Sequence, residues 1–229
     1  MLVSLLSVNV ARPTVLLRWP AGDVISAIDK HPVAASSVAV TVHNIDGDRQ
    51  ADTSPLPGGG QVHGGPDKAV YAYSAEHAAG WEESLGVRPA AGLFGENLTV
   101  GGVTERDVCI GDVWRWGTAL LQVSQPRIPC YKLGIRLGAQ VVRREFRTSG
   151  RVGWYLRVLR AGVGPTRGEI SVLAADPRGV TVYDVNAALQ RDAEVPPAIL
   201  CHDALAEGIR QILADRHRDL TGGAAEDDG

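Results

Sequence analysis

The sequence predicts a mainly β fold: a barrel with a few peripheral helices, plus a small appendage of three helices at the C-terminal end. Two observations carry this. Short β-branched and aromatic runs recur through residues 1–176, punctuated by glycine and proline turn signals. After Gly179 the apolar period lengthens from that of a strand to that of a helix.

In chain order, Met1–Val10 is apolar but lacks the positive segment that opens a signal peptide, and it reads as a first strand. Val38–Val42, Asp107–Ile110, Val113–Trp116, Ala119–Ser124, Trp154–Leu159 and Ile170–Leu173 follow as candidate strands. Turns at Gly111-Asp112, Gly117-Thr118 and Gly162–Gly168 give the short spacing an all-β barrel requires. Cys109, inside the apolar run Val108–Ile110, is expected in the core. Two helices are expected within this part: Ser74 to Leu85, with Ser74 as N-cap, and Gln140 to Arg147.

Beyond residue 180, Thr181 can cap a helix whose Val182, Val185, Ala188 and Leu189 share one face. Pro196-Pro197 opens a second helix carrying Ile199, Leu200 and Cys201. A third runs from Leu205 to Leu220 with Leu205, Ile209, Ile212, Leu213 and Leu220 along one stripe. The organisation expected is a barrel domain over 1–176, a three-helix unit over 180–221 that is too small to be stable undocked, and an acidic disordered tail over 222–229. His202 and His217 read as surface helix residues.

The chain has 229 residues and a net charge of −3, which argues against general attraction to nucleic acid or a membrane surface. No run of about 18 apolar residues is present to span a bilayer. Three widely spaced cysteines, Cys109, Cys130 and Cys201, form neither a disulfide framework nor a zinc pattern, and a reducing cytoplasm fits them.

Cys130 is the strongest chemical signal. It follows Pro126-Arg127-Ile128-Pro129, where two prolines fix two φ angles, remove two N–H donors and push Gln125 and Ile128 toward extended geometry. A thiol is thus delivered at a strand end on a stiffened loop, with Arg127 and Lys132 near in sequence to favour the thiolate. A free cysteine on residue type alone is often a core residue; rigid prolines and flanking cations weigh toward chemistry.

Four other segments look more like a site than a scaffold. Gly47–Asp52 is a turn dense in hydrogen-bonding groups, readable equally as a loop held by Asx-type bonds. Val62–Val70 carries His63 and two glycines that let backbone approach an anion, although a lone histidine is more often structural. Phe94–Leu98 places Glu96 and Asn97 between a turn and a strand, where Asn97 could merely cap backbone. Thr148–Tyr155 offers Arg151 beside glycines that could serve only tight packing. Ser-His-Asp, Walker and Rossmann patterns are all missing, and His77 has Trp81 rather than a second histidine four residues on.

Taken together, Ser26–Val33, Gly47-Asp-x-Gln-x-Asp52, His63-Gly-Gly-Pro-Asp-Lys-Ala-Val70, Phe94-Gly-Glu-Asn-Leu98, Gly111-Asp112, Pro126-Arg-Ile-Pro-Cys130 and Gly153-Trp-Tyr155 resemble the MOSC family, domains similar to the C-terminal part of molybdenum-cofactor sulfurases. The resemblance runs from Leu2 to Leu220 and is nearest to the bacterial branch conferring resistance to hydroxylaminopurine, in which a three-helix domain follows the barrel. It implies a β-barrel that binds a molybdopterin-type molybdenum cofactor with Cys130 as the protein ligand to molybdenum. It makes Lys30, His63, Asn97, Arg127 and Arg151 candidates for pterin and phosphate contacts. It further implies reduction of N-hydroxylated compounds to amines, with electrons from a separate flavin or iron–sulfur protein, since this chain has no cysteine cluster for an iron–sulfur centre. Two other readings stay open: sulfur transfer through a persulfide on Cys130 without metal, and a non-catalytic carrier of the cofactor. The sequence departs from the family where Thr53–Gln61 lengthens the link before His63 with a Pro/Gly stretch expected to be mobile, and where Ile209 replaces a usual tryptophan.

Overall fold

The computed structural model describes residues 2–51, 64–86, 88–138, 140–190 and 194–222. Seven strands close into a barrel: β1 (Leu2–Val10), β6 (Val70–Ser74), β7 (Leu98–Gly101), β8 (Val113–Trp116), β9 (Ala119–Pro126), β10 (Trp154–Arg160) and β12 (Gly168–Ala174). The order around it is β1-β7-β6-β10-β9-β8-β12, with β12 pairing back onto β1. All neighbours run antiparallel except β6 and β7, which are parallel. The remaining strands decorate it: β2 (Thr14–Leu17) and β3 (Val24–Ser26) form a hairpin, β4 (His31–Pro32) extends β1, and β5 (Ser37–Val40) pairs with β11 (Gly162–Pro165).

The period of two along a strand divides its residues between two cores. In β6, Val70 and Ala72 face the barrel interior with Val3, Leu5, Leu121, Val123, Trp114, Trp154 and Ile170. Tyr71 and Tyr73, on the opposite face, enter a second cluster with Trp81, Phe94, Leu133, Phe146 and Val152. That outer cluster lies among three helices, α1 (Ala78–Leu85), α2 (Tyr131–Leu137) and α3 (Gln140–Thr148). Ser74 caps as expected, accepting from the Glu76 N–H at 3.2 Å, but it opens a short 3-10 turn, Ala75–His77, ahead of α1.

Asp107–Ile110 is not a strand. The Asp107 carboxylate accepts from the Thr104 N–H at 2.9 Å and Asp112 from the Cys109 N–H at 3.0 Å, so local side-chain bonds curl the segment into turns. A single bridge to Thr181 remains, and Cys109 is half-buried rather than in the core. The β5 strand likewise stops at Val40, where Thr41 turns onto Asn44.

Three further helices follow: α4 (Val182–Ala188), α5 (Pro197–Leu200) and α6 (Glu207–Gly222). Thr181 and Asp184 form a complete capping box at α4. Val182, Val185, Ile199, Leu205, Ile209 and Leu213 belong to the same buried cluster as the barrel interior, and the Ala206 N–H bonds the Ser124 carbonyl at 2.9 Å. Ile212 departs from the expected stripe: it is 49% exposed, because Leu205, Ile209 and Leu213 are four apart while Ile212 sits about 100° round the helix from Leu213. No helix among the described residues is long and apolar enough to cross a membrane.

His202 is a correction too. It lies in the turn between α5 and α6, is fully buried, and neither ring nitrogen has a hydrogen bond among the described residues; Asp176 Oδ1 is 3.6 Å away. Burial, then the nearby Arg178, holds its folded proton affinity below the ordinary 6.5, against the pull of Asp176 and Asp203. The unfolded chain therefore takes up the extra proton as pH falls through about 6.5, and stability falls with it. Urea midpoints are expected to drop between about pH 7 and 5, and His202→Leu to flatten that dependence; an unchanged slope would assign it elsewhere.

Candidate functional site

The site begins where β9 leaves the sheet. Pro126 is the last residue of β9 and pairs with Trp154, and the Arg127 N–H reaches the Gly153 carbonyl at 3.3 Å. Gly153 holds φ +67, and a Cβ there would meet the Ala72 carbonyl oxygen at 2.4 Å, so only glycine lets the strands approach here. After Pro129, Cys130 stands in extended geometry as the N-cap of α2, its carbonyl accepting from the Leu133 N–H at 3.2 Å. The two prolines thus sit where no backbone donor is wanted, and the thiol is left half-buried on the wall of a cavity of about 110 Å³.

The lining is strongly cationic. Lys30, Arg49, Lys68, Arg127 and Lys132 face it against one carboxylate, Asp48. Arg127 is buried, donates to the Phe94 carbonyl, and holds its guanidinium 4.6 Å over the Tyr71 ring and 5.6 Å over Phe146. Lys30 is buried and paired with Asp48, which also accepts from the Ala11 N–H and from Asn97 Nδ2, each at 2.9 Å. Burial pushes the Lys30 ammonium below its usual range although Asp48 and Glu96 pull the other way. The same desolvation lowers Lys68, offset in part by Asp67.

Asn97 is the junction of this wall. Its Oδ1 accepts from the Tyr71 N–H at 3.0 Å, and its Nδ2 donates to the Asn9 carbonyl at 3.2 Å and to Asp48. Glu96 faces the other way and ties the loop, accepting from the Gly92 and Phe94 N–H groups at 2.7 and 3.1 Å and from the Thr99 hydroxyl at 2.9 Å. Burial raises its carboxyl above the ordinary range. Gln50 clamps the neighbouring segment, donating to the Gly65 carbonyl at 3.2 Å and accepting from the Gly65 N–H at 3.0 Å.

Of the residues singled out from the sequence, Lys30, Asn97, Arg127 and Cys130 line one cavity. Arg151 does not: it pairs with Glu145 at 3.2 Å and stacks 4.7 Å over Trp81, supporting the aromatic cluster behind the site. His63 and the Thr53–Gln61 stretch lie outside the described residues. Asp48, Gln50, Lys68, Tyr71 and Tyr155 were not singled out individually. Asp48 and Gln50 fall inside the Gly47–Asp52 turn and Lys68 inside the His63–Val70 segment, so the segments carried the signal. Tyr71 and Tyr155 meet only through the β6–β10 pairing, which no local pattern reveals.

Five cations around one accessible thiol suit a ligand bearing a phosphate and a polar ring system, held by charge-assisted hydrogen bonds. No group of three or more His, Cys, Asp or Glu able to cage an ion occurs among the described residues, so a metal at Cys130 would arrive with most of its ligands already attached. Both features fit a molybdopterin-type group: it is anionic and brings a soft dithiolene to which a single thiolate is the natural complement.

The sequence profile of the MOSC domain matches residues 59–176. The chain is 40% identical over 210 residues to YflK, an uncharacterized protein of Bacillus subtilis, covering 90% of this chain and 91% of that one. The crystal structure of YiiM from Geobacillus stearothermophilus superposes with a TM-score of 0.74 at 33% identity, covering 94% of this chain and 99% of that one. A Gibberella moniliformis protein named reductase is 36% identical over 150 residues, which are 62% of this chain and 24% of that protein.

Proposed function

The chain belongs to the MOSC domain family, and we propose that it is a molybdenum-cofactor-dependent oxidoreductase that reduces N-hydroxylated bases or related N-hydroxyl compounds to amines. The observation that carries this reading is the half-buried Cys130 thiol opening into a cavity lined by five cations and one carboxylate. When bound, the cofactor supplies the redox-active metal and its dithiolene ligands; Cys130 would add the protein thiolate. Arg127, Lys30 and Lys68 would receive its phosphate and pterin oxygens, and Asn97 and Gln50 keep the wall in register by bonding backbone on three segments. Electrons would come from a separate flavin or iron–sulfur protein. The similarity to a protein named reductase supports the oxidoreductase class.

The test is elemental analysis, released-pterin fluorescence and turnover of a hydroxylaminopurine with a reducing partner, on protein made with ample cofactor supply. Near-stoichiometric molybdenum is expected in the wild type, and Cys130→Ser is expected to fall to background turnover. A Cys130→Ser protein retaining full reductase activity would falsify the assignment. Metal-free protein carrying a reducible extra sulfur on Cys130 would point to sulfur transfer instead.

A further inference from the structure

Three tyrosines converge where β6 pairs with β10: Tyr71, Tyr73 and Tyr155. Two of their hydroxyls are spent on structure. Tyr71 donates to the Val152 carbonyl at 2.8 Å, and Tyr73 donates to the Arg151 carbonyl at 3.1 Å while accepting from the Trp81 indole. Tyr155 is half-buried, and its hydroxyl makes no hydrogen bond among the described residues, which leaves it open to a ligand in the cavity. Its ring is pinned against Tyr71 with centroids 5.1 Å apart, and its flanking residues Trp154 and Leu156 point into the barrel, so the phenol stands on the outer face and lines the cavity. Arg127, Cys130 and Asp48 line the same cavity.

We propose that Tyr155 is the proton donor to the oxygen that leaves the substrate nitrogen, a role that rests on the reaction assigned above. Reduction of R–NHOH to R–NH2 and water consumes two electrons and two protons. The N–O bond breaks, the phenol O–H breaks, and its proton goes to the departing oxygen to complete water. The second proton comes from solvent and ends on the amine nitrogen. Both electrons come from the flavin or iron–sulfur donor, which is oxidised as the nitrogen is reduced. The phenolate left behind lies near the Arg127 guanidinium and recovers its proton from water at the open mouth of the cavity. Three of the other groups lining the cavity are less suited: Arg127 does not release its proton, Asn97 has spent its amide, and Lys30 is bound to Asp48. A tyrosine phenol is protonated across the neutral range, as a donor must be.

Tyr155→Phe retains the ring and its stacking while removing only the hydroxyl. In cofactor-loaded protein it is expected to lower kcat about 100-fold, with KM and molybdenum content unchanged. A readout independent of turnover is acetylation by N-acetylimidazole mapped by peptide mass: Tyr155 should react in metal-free protein and be protected once loaded. A Tyr155→Phe enzyme as fast as an active wild type, or a Tyr155 that resists acetylation in the metal-free protein, overturns the proposal. A wild type that holds molybdenum yet reduces no N-hydroxyl compound overturns the assigned reaction and this donor with it, a different outcome from an active wild type matched by its variant.

Discussion

Asp48→Ala is expected to lower stability by about 3–5 kcal/mol, more than any other single change around the cavity. The reason is what it strands. Lys30 and Asp48 are both buried, with side chains 8% and 7% exposed, and removing the carboxylate leaves a buried ammonium without its ion-pair partner. It also orphans the Ala11 N–H and the Asn97 amide, which bond the same carboxylate. Replacing both partners, as Lys30→Met with Asp48→Leu, is expected to recover much of the loss, since an apolar pair carries no desolvation cost. Urea midpoints of the two single variants and the double variant decide the matter: additive losses would mean that the two charges do not interact. The pair lines the same cavity as the Cys130 thiol, where it fixes a cation on the wall.

The second large effect lies inside the barrel. Trp154→Ala is expected to cost about 3–5 kcal/mol, because the indole is fully buried and packs edge-on against Trp114 with ring centroids 5.8 Å apart. Trp154→Phe is expected to cost only about 1–2 kcal/mol. Neither the Trp154 nor the Trp114 indole N–H has a hydrogen-bond partner among the described residues, so phenylalanine loses volume but no bond. Thermal unfolding of both variants separates the contributions; equal losses would show that the N–H matters as much as the ring.

The strands with alternating or β-branched runs were legible with bounds within a residue or two, as Val113–Trp116 and Trp154–Arg160 show. So was the helix cap at Thr181, though not the reciprocal bond from Asp184 that completes it. What escaped has physical causes. The strands of the β2–β3 hairpin are three or four residues long, too short to show a period, and β6 is apolar on both faces because each face meets a different core. Helix α2 follows Cys130 without a side-chain cap to announce it. His202 was misplaced because a polar residue beside a helix looks solvated until tertiary packing encloses it. At the site, the cysteine loop stood out through its prolines, whereas the stacking of Tyr155 on Tyr71 depends on a pairing 84 residues apart in sequence.

The seam between β1 and β12 has a consequence for how the molecule is born. Leu2–Leu5 must find Gly168–Ser171 before the cylinder shuts, so the edge of β1 that faces β12 waits through synthesis of more than 160 residues for its partner. Until then a ribosome-bound chain presents an open hydrophobic ribbon, the kind of surface that chaperones shield. Such long-range zippering makes for slow folding, and it means that trimming the first few residues would unseal the wall itself rather than shorten a loose end.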